Sequence, residues 1–553
     1  MMTRTYMDTK HTSQQPQRQS PVLMSNSYGI QRGRSVLPSD ANSGSLAAAS
    51  KRSNPLTPHF EHLVQKLLKQ WHAPGVSIGV VDGDDIYTAG YGLAALPNVP
   101  ATSATLYATA STTKAFTAAS LSCLIHSGEC PQLARGWDTP ISSLMRDDFL
   151  LHDEWATEHV TLDDAACHRT GLPGGDFGWR DTDDGQIPSD QHRVRQLRHV
   201  MPSLEPRLQL QYNNSMYVVL ARATEVVTGN RFPEILRDKI WGPLKMDNTF
   251  LDTYQALNTR LPLARGYNWN EEHKEQREYP VESVRSSSGA GGTISNVIDY
   301  TRWIHCLLHR GPEIPGKVHD DLRKMRTMDT DETLYGLGWV KTLRYGETMY
   351  IHTGGKDCFT SYIMWFPEHK YGLVAMTNTG LGSHAARIAL AKLIEDRFEV
   401  PYKKRIDADK EFEKLWRPEG KSPQDGLKMW YPDVQLPSPS DVGLLDIIGT
   451  YRAPGHGRFV LVENERVDKS GNRTLLTADT SSKDRFRNEK WHMRHVSGRF
   501  WLIEVFDSIV DVCYGFHGAE VIVGPAGQVT GLKITLTPPG SKPDHGFVLF
   551  SKV

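Results

Sequence analysis

No stretch of this 553-residue sequence approaches the roughly 20 consecutive apolar residues that a bilayer-crossing helix needs, so no membrane partner is expected. Charge of one sign is also missing. The 63 Lys and Arg residues stand against 64 Asp and Glu, a net charge of −1, which offers no overall field to nucleic acid or an anionic surface. Cysteine is sparse. Cys123, Cys130, Cys167, Cys306, Cys358 and Cys513 are scattered without C-x-x-C or finger-like spacing, which argues against a disulfide framework and for a reducing compartment. The 22 histidines contain no H-E-x-x-H, so neither a metal nor another cofactor is read from the chain. No repeat of solenoid period is visible. What is present, 39% hydrophobic and 23% charged residues, is the composition of an ordinary globular protein with room for two or three domains.

Residues 1–54 are poor in apolar side chains and rich in Ser, Gln, Arg and Pro, and are read as a disordered tail. They carry no apolar h-region, so a secretory signal is not expected. Arg4, Lys10, Arg18, Arg32 and Arg34 against Asp8 and Asp40 keep a mitochondrial transit peptide as the alternative to a cytoplasmic location.

Order is expected from Thr57-Pro58, a good helix start, into the amphipathic "FEHLVQKLLKQW". "GVSIGVV" and "IYTAGYG", joined by "DGDD", read as a β-hairpin. A long mixed region of helix and loop follows to about residue 280. Beyond it come a helix over 296–309, strands at "YGLGWV", "MYIHTGG", "SYIMWFP" and "YGLVAMTN", and a helix at "HAARIALAKLIEDRF". This order predicts an α+β domain over 55–402 with an antiparallel sheet. Residues 403–440 look like a linker. Short β-rich runs such as "RFVLVEN", "RTLLTAD", "RFWLIEVFD" and "GFVLFSKV" then predict a small antiparallel barrel or sandwich over 441–553.

Two serines compete as nucleophiles. "GVSIG" at 75–79 matches G-x-S-x-G, but that motif works only at a strand-to-helix turn; Ser77 runs on into more strand. Ser111, in "TASTTKAFTAAS" at 109–120, opens a helix that is apolar on nearly every face and therefore buried. Its Lys114 lies one turn on, on the same side, within reach of the Ser111 hydroxyl. Burial lowers a lysine's proton affinity and fits it to act as a base. The competing reading is a serine helix cap beside an incidental lysine.

Two later stretches bear on that choice. "QYNNS" supplies Tyr212 and Asn214, and "YIHTGGKD" supplies His352, Thr353, Gly354 and Gly355. The ordered set "STTK", "YNN" and "HTG" resembles the S-x-x-K, Y-x-N and K-T-G/H-x-G motifs of the serine β-lactamase and penicillin-binding-protein superfamily. The likeness is to its class C-like branch of DD-peptidases, esterases and transacylases, over residues ~55–400. "HRTGLP" at 168–173 and "GAGGTIS" at 289–295 resemble further recurring stretches of that branch.

The resemblance implies an antiparallel sheet flanked by helices, with an all-helical subdomain, and an acyl-enzyme on Ser111. It implies Lys114 and Tyr212 as the proton-transfer pair, without deciding which is the base. Asn214 would bond Lys114 and the substrate's acyl side. The N–H groups of Ser111 and Gly355 would form the oxyanion hole, bordered by His352, Thr353 and Gly354. His352 stands where β-lactamases usually carry lysine, so efficient β-lactam hydrolysis is not expected. With an ordinary imidazole pKa of about 6.5, His352 would favour anionic substrates as pH falls from about 8 to 6.

The tail domain resembles the lipocalin-like barrel behind this catalytic domain in some peptidase relatives. There it serves substrate access or assembly, and a plain stabilising role is the alternative. The expected partner is a small-molecule acyl substrate, an ester, lactone or amide, and the barrel is a candidate surface for homo-oligomers. Three functions compete: hydrolysis, acyl transfer to an alcohol or amine (as in secondary-metabolite biosynthesis), and a silent scaffold. Phe177, Trp179, Tyr217 and Phe359 are candidates for excluding water or binding an acyl chain, or for the core. His168 is read as a hydrogen-bonding residue near the site.

Overall fold

The computed structural model describes residues 53–174, 189–251, 253–271, 273–279, 288–356, 358–415, 422–434, 438–467, 473–479, 489–509, 511–536 and 546–553. The N-terminal tail up to residue 52, Phe177 and Trp179 lie outside them.

The chain assembles its main sheet from both ends of the first domain. β1 (Gly75–Asp82), β2 (Asp85–Ala95) and β3 (Val99–Pro100) come first. The remaining strands are β4 (Met325–Thr330), β5 (Thr333–Gly336), β6 (Val340–Arg344), β7 (Glu347–Lys356), β8 (Phe359–Phe366) and β9 (Tyr371–Thr377). Nine strands lie in the order β3-β2-β1-β9-β8-β7-β6-β5-β4. The seam is the antiparallel pair β1/β9, in which Ser77 faces Met376. Ser77 is therefore a mid-strand residue, buried, its hydroxyl donating to Thr102 O at 2.8 Å. It is not on an elbow. "YGLGWV" straddles two strands, with residues 337–339 in the bend between β5 and β6.

α1 (Pro58–Gln70) is started by Thr57, whose hydroxyl accepts the Phe60 N–H. It packs with α5 (Gly382–Arg397) on one sheet face, where Val64, Leu67 and Trp71 meet Ile78, Leu373 and Ile388. The other face carries α4 (Val297–His309), whose Tyr300, Trp303 and Ile304 join Val374 and Trp365. A side chain at Gly79 would strike Thr301, and one at Gly372 would strike Ile304, so glycine at both positions lets α4 approach the sheet closely.

The helical region inserted between β3 and β4 contains α2 (Thr113–Ser127) and α3 (Asn214–Thr228). In α2 every residue from Thr113 to Leu124 is buried, as the all-round apolar pattern demands. Burying such a helix contributes about 1.5–3 kcal/mol for each large apolar side chain, and it fixes the position of whatever polar groups it carries.

Residues 403–440 include two helices, α6 (Ala408–Leu415) and α7 (Pro423–Trp430). α6 sets Phe412 edge-on against Trp71 at 4.8 Å. α7 lays Trp430 over the outside of the following barrel, beside Leu502 and Phe516. That barrel closes from eight antiparallel strands: β10 (Gly449–Ala453), β11 (Gly457–Val467), β12 (Arg473–Asp479), β13 (Glu489–Ser497), β14 (Phe500–Asp507), β15 (Val512–Val523), β16 (Val529–Thr535) and β17 (Phe547–Lys552). Its filling includes Tyr451, Phe459, Trp491, Met493 and Phe550. The α+β domain followed by a small antiparallel barrel is the architecture read from the sequence. All six cysteines are buried, and none is joined in a disulfide. Among the described residues no helix is long and apolar enough to cross a membrane.

Candidate active site

Ser111 lies in a 3₁₀ turn, Ala110–Thr112, that leads directly into α2. The residue before it, Ala110, has φ +49°, a left-handed conformation that costs a side-chain-bearing residue about 1–2 kcal/mol. The surroundings hold it there. Thr109 donates its N–H to Thr293 O at 2.9 Å, and its own carbonyl accepts from Ser361 Oγ at 2.6 Å and Thr112 Oγ1 at 3.0 Å. Tyr300 donates to Thr109 Oγ1 at 2.9 Å, and Thr113 Oγ1 donates to Ala110 O at 2.7 Å. The N-cap position of α2 is Thr112 and makes no side-chain cap bond, so the reading of Ser111 as the helix cap falls.

Lys114 is fully buried, and its Nζ lies 3.1 Å from Ser111 Oγ, 2.7 Å from Asn214 Oδ1 and 2.7 Å from Ala290 O. The Tyr212 ring stands over it, its centroid 4.8 Å from Nζ. Three segments far apart in the sequence thus converge on one amine. The Ala290 carbonyl comes from the glycine-rich "GAGG" stretch, whose Gly289 O also accepts from Thr117 Oγ1 at 2.7 Å. A backbone oxygen leaves no side-chain signature, and only the run of small residues hinted at it.

The Tyr212–Asn214 segment is held from beneath. Asn213 caps α3, accepting from Met216 N–H and donating to Pro173 O at 2.8 Å. Its own N–H donates to Nδ1 of His168 at 3.1 Å. His168 is fully buried, lies against Tyr212 with ring centroids 4.2 Å apart and planes tilted by 38°, and has its proton affinity pushed well down by burial and by the charge on Lys114. Asn213 also begins the "NNS" sequon pattern; it is buried and occupied in these bonds.

The "HTGG" stretch is on β7, which passes beside the serine turn. A side chain at Gly354 would lie 2.1 Å from Thr109 O, whereas one at Gly355 would meet nothing. Gly354 is therefore the contact point with the serine turn, and Gly355 faces open space. Thr353 is half-buried. His352 is 2% exposed. Its Nδ1–H donates to Thr353 O at 2.8 Å, which leaves Nε2 to accept from Tyr335 OH at 3.2 Å. Burial, aided by the charge on Lys114, holds its pKa down at about 3. The charge change expected of an ordinary imidazole between pH 8 and 6 is thus moved out of that range: His352 is a buried neutral residue, not an exposed reader of substrate charge. Tyr335, its partner, went unnoticed in the sequence because only the folded sheet brings β5 within reach of β7, across the intervening β6.

Of the aromatic candidates within the described residues, Tyr217 is core, its hydroxyl donating to Ala166 O at 2.8 Å. Phe359 is half-buried beside Tyr279 and Cys358, against Ile509 and Val512 of the barrel. There Tyr279 donates to Asp507, and Arg277 donates to Ile509 O at 3.3 Å. The barrel therefore touches the chain just past the "HTGG" strand.

Residues 60–396 match the Beta-lactamase family model. The chain belongs to the β-lactamase family. It is 36% identical over 444 residues to the protein named Unguisins hydrolase ungD' of Aspergillus campestris, covering 78% of this chain and 82% of that one. It is 32% identical over 526 residues to Unguisins hydrolase ungD of Aspergillus violaceofuscus, covering 89% and 90%. Among solved structures it is similar to the octameric penicillin-binding protein homologue from Pyrococcus abyssi, at TM-score 0.55 and 19% identity over 89% of this chain and 99% of that one. It also resembles a class C beta lactamase from Rhodobacter sphaeroides, at TM-score 0.50 and 19% identity over 61% and 99%. At such identities these two likenesses show the fold. With the fungal relatives and the family match, the β-lactamase-family protein described here is a serine hydrolase, and the scaffold reading is set aside.

Proposed function

We propose that the protein forms an acyl-enzyme on Ser111 and passes the acyl group of an amide or ester to water. The observation that carries this reading is the surroundings of Lys114. Asn214 Oδ1 and Ala290 O can only accept, so together they take two N–H groups of the amine. The third position of the nitrogen faces Ser111 Oγ. In the neutral amine that position is a lone pair, able to receive the serine proton as Oγ attacks a carbonyl carbon. The ammonium so formed keeps its two bonds and gains a third donor beside the new ester oxygen. Tyr212, over the same nitrogen, is the group to carry the proton on to the leaving amine or alcohol, since a charge on Lys114 favours its phenolate. Water then attacks the ester and the same transfers run in reverse. The N–H groups of Ser111 and Gly355 receive the carbonyl oxygen's developing charge. Asn214 takes the acyl side, and His352, Thr353 and Gly354 form the neutral wall behind the site.

The fungal relatives' name makes an unguisin the first substrate to test. The purified protein is expected to hydrolyse it, product mass exceeding substrate mass by one water in total, with Ser111→Ala inactive and no new product when an alcohol or amine acceptor is added. An acceptor adduct would replace hydrolysis by acyl transfer. Turnover retained in Ser111→Ala would overturn the nucleophile. Turnover of simple esters but not of an unguisin would overturn the substrate and leave the nucleophile standing.

A further inference from the structure

His305 and His309 lie one turn apart at the C-terminal end of α4, their rings stacked with centroids 4.3 Å apart. Spacing of i and i+4 puts both on one side of the helix. The β1–β2 hairpin brings Asp84 to the same corner, its Oδ1 4.0 Å from His305 Nε2 and 3.8 Å from His309 Nε2. One ligand atom from each of the three falls within 4.8 Å of the others. From this geometry we propose that Asp84, His305 and His309 bind one divalent transition-metal ion of the zinc, nickel, cobalt or copper class.

Ligand atoms about 2.0–2.1 Å from a tetrahedral metal are about 3.3 Å apart, so the Asp84–histidine separations of 4.0 and 3.8 Å must close by about 0.5–0.7 Å. Asp84 is 93% exposed at its side chain, and rotating it meets no packed neighbour. His309 Nε2–H donates to Gly83 O at 2.9 Å, a bond that the ion replaces when it takes that nitrogen. Two imidazole nitrogens with one carboxylate suit the transition metals; calcium and magnesium prefer sites built of oxygen alone. Around His305, Asp84 of the hairpin and Glu313 favour a cation, and Lys370 opposes it. The negative end of the α4 dipole also favours a cation here. The three residues lie outside the Ser111 cluster, so the ion's effect is to tie the hairpin tip to α4, stabilising the fold by binding the native state alone.

The test is calorimetric titration of zinc chloride into chelator-treated, tag-free full-length protein, with thermal unfolding in parallel. One equivalent is expected to bind and to raise Tm, magnesium producing no such shift. His305→Ala, His309→Ala and the exposed change Asp84→Asn should each weaken the binding and shrink the Tm rise, with the metal-free Tm of each variant checking that it folds. No zinc binding, unchanged one-equivalent binding in the His305→Ala/His309→Ala double variant or in Asp84→Asn, or an equal response to magnesium would overturn the proposal.

Discussion

At the scale of single residues, Lys114 and His352 show how position decides what a side chain can do. Lys114 is buried with acceptors from Asn214 and Ala290 and lies under the Tyr212 ring, so in the proposed scheme truncating it removes the proton acceptor. Lys114→Ala and Tyr212→Phe are each expected to lower kcat/KM by about a thousandfold while circular dichroism stays native. Near wild-type turnover in either would break the proton-transfer scheme. His352 is legible in sequence as the odd member of its motif; its burial and its Tyr335 partner are not, because both arise from strand pairing. Its pKa of about 3 in the fold, against about 6.5 in the unfolded chain, gives a definite sign. The unfolded chain binds the extra proton between those values. The stability contributed by a neutral His352 is therefore whole above about pH 6.5 and is lost by about 1.4 kcal/mol per pH unit as pH falls toward the folded value. His352→Gln lacks that slope, so the wild type's advantage in urea unfolding should shrink between about pH 7.5 and 5.5. A constant gap would mean that His352 takes up its proton in the folded protein as readily as outside it.

At the scale of elements, the serine turn and β7 are fitted to each other. The strained Ala110 is held by Thr109, Thr112, Thr113, Tyr300 and Ser361, a collar of hydroxyls that looks, in sequence, like unremarkable polar residues inside apolar elements. Gly354 and Gly355 look equivalent in sequence and differ in the fold. Gly354→Ala drives a methyl into the Thr109 carbonyl and should cost about 1–3 kcal/mol together with most of the activity. Gly355→Ala meets open space and should leave Tm unchanged. Equal Tm loss in both would mean that β7 does not press on the serine turn. The hairpin, α1, α2, α4 and α5 were legible because apolar stripes or continuous apolar runs, bounded by turn and cap residues, mark them: α1 and α4 carry a stripe, and α2 is apolar all round. β13 of the barrel was not. Its inward and covered faces include Glu489, His492 and Arg494, the last paired with Glu504 at 2.8 Å, and such buried polar residues hide the alternation.

At the scale of the whole molecule, the sequence order of the three motifs was enough to point to the fold, because each motif sits on a different wall of one site. What sequence order could not give is the seam: β1 pairs with β9 across almost three hundred residues, and the site lies where the inserted helical region meets that sheet. The barrel meets the catalytic domain through Tyr279, Arg277 and Phe359, a contact that no local pattern announces. The proposed role of this arrangement is to activate one serine, Ser111. Its most direct test is fluorophosphonate labelling of the full-length protein followed by intact-mass measurement and peptide mapping. One adduct on Ser111 is predicted, absent from Ser111→Ala and slowed in Lys114→Ala; an adduct on Ser77 or any other residue, or labelling undiminished in Ser111→Ala, would contradict the account.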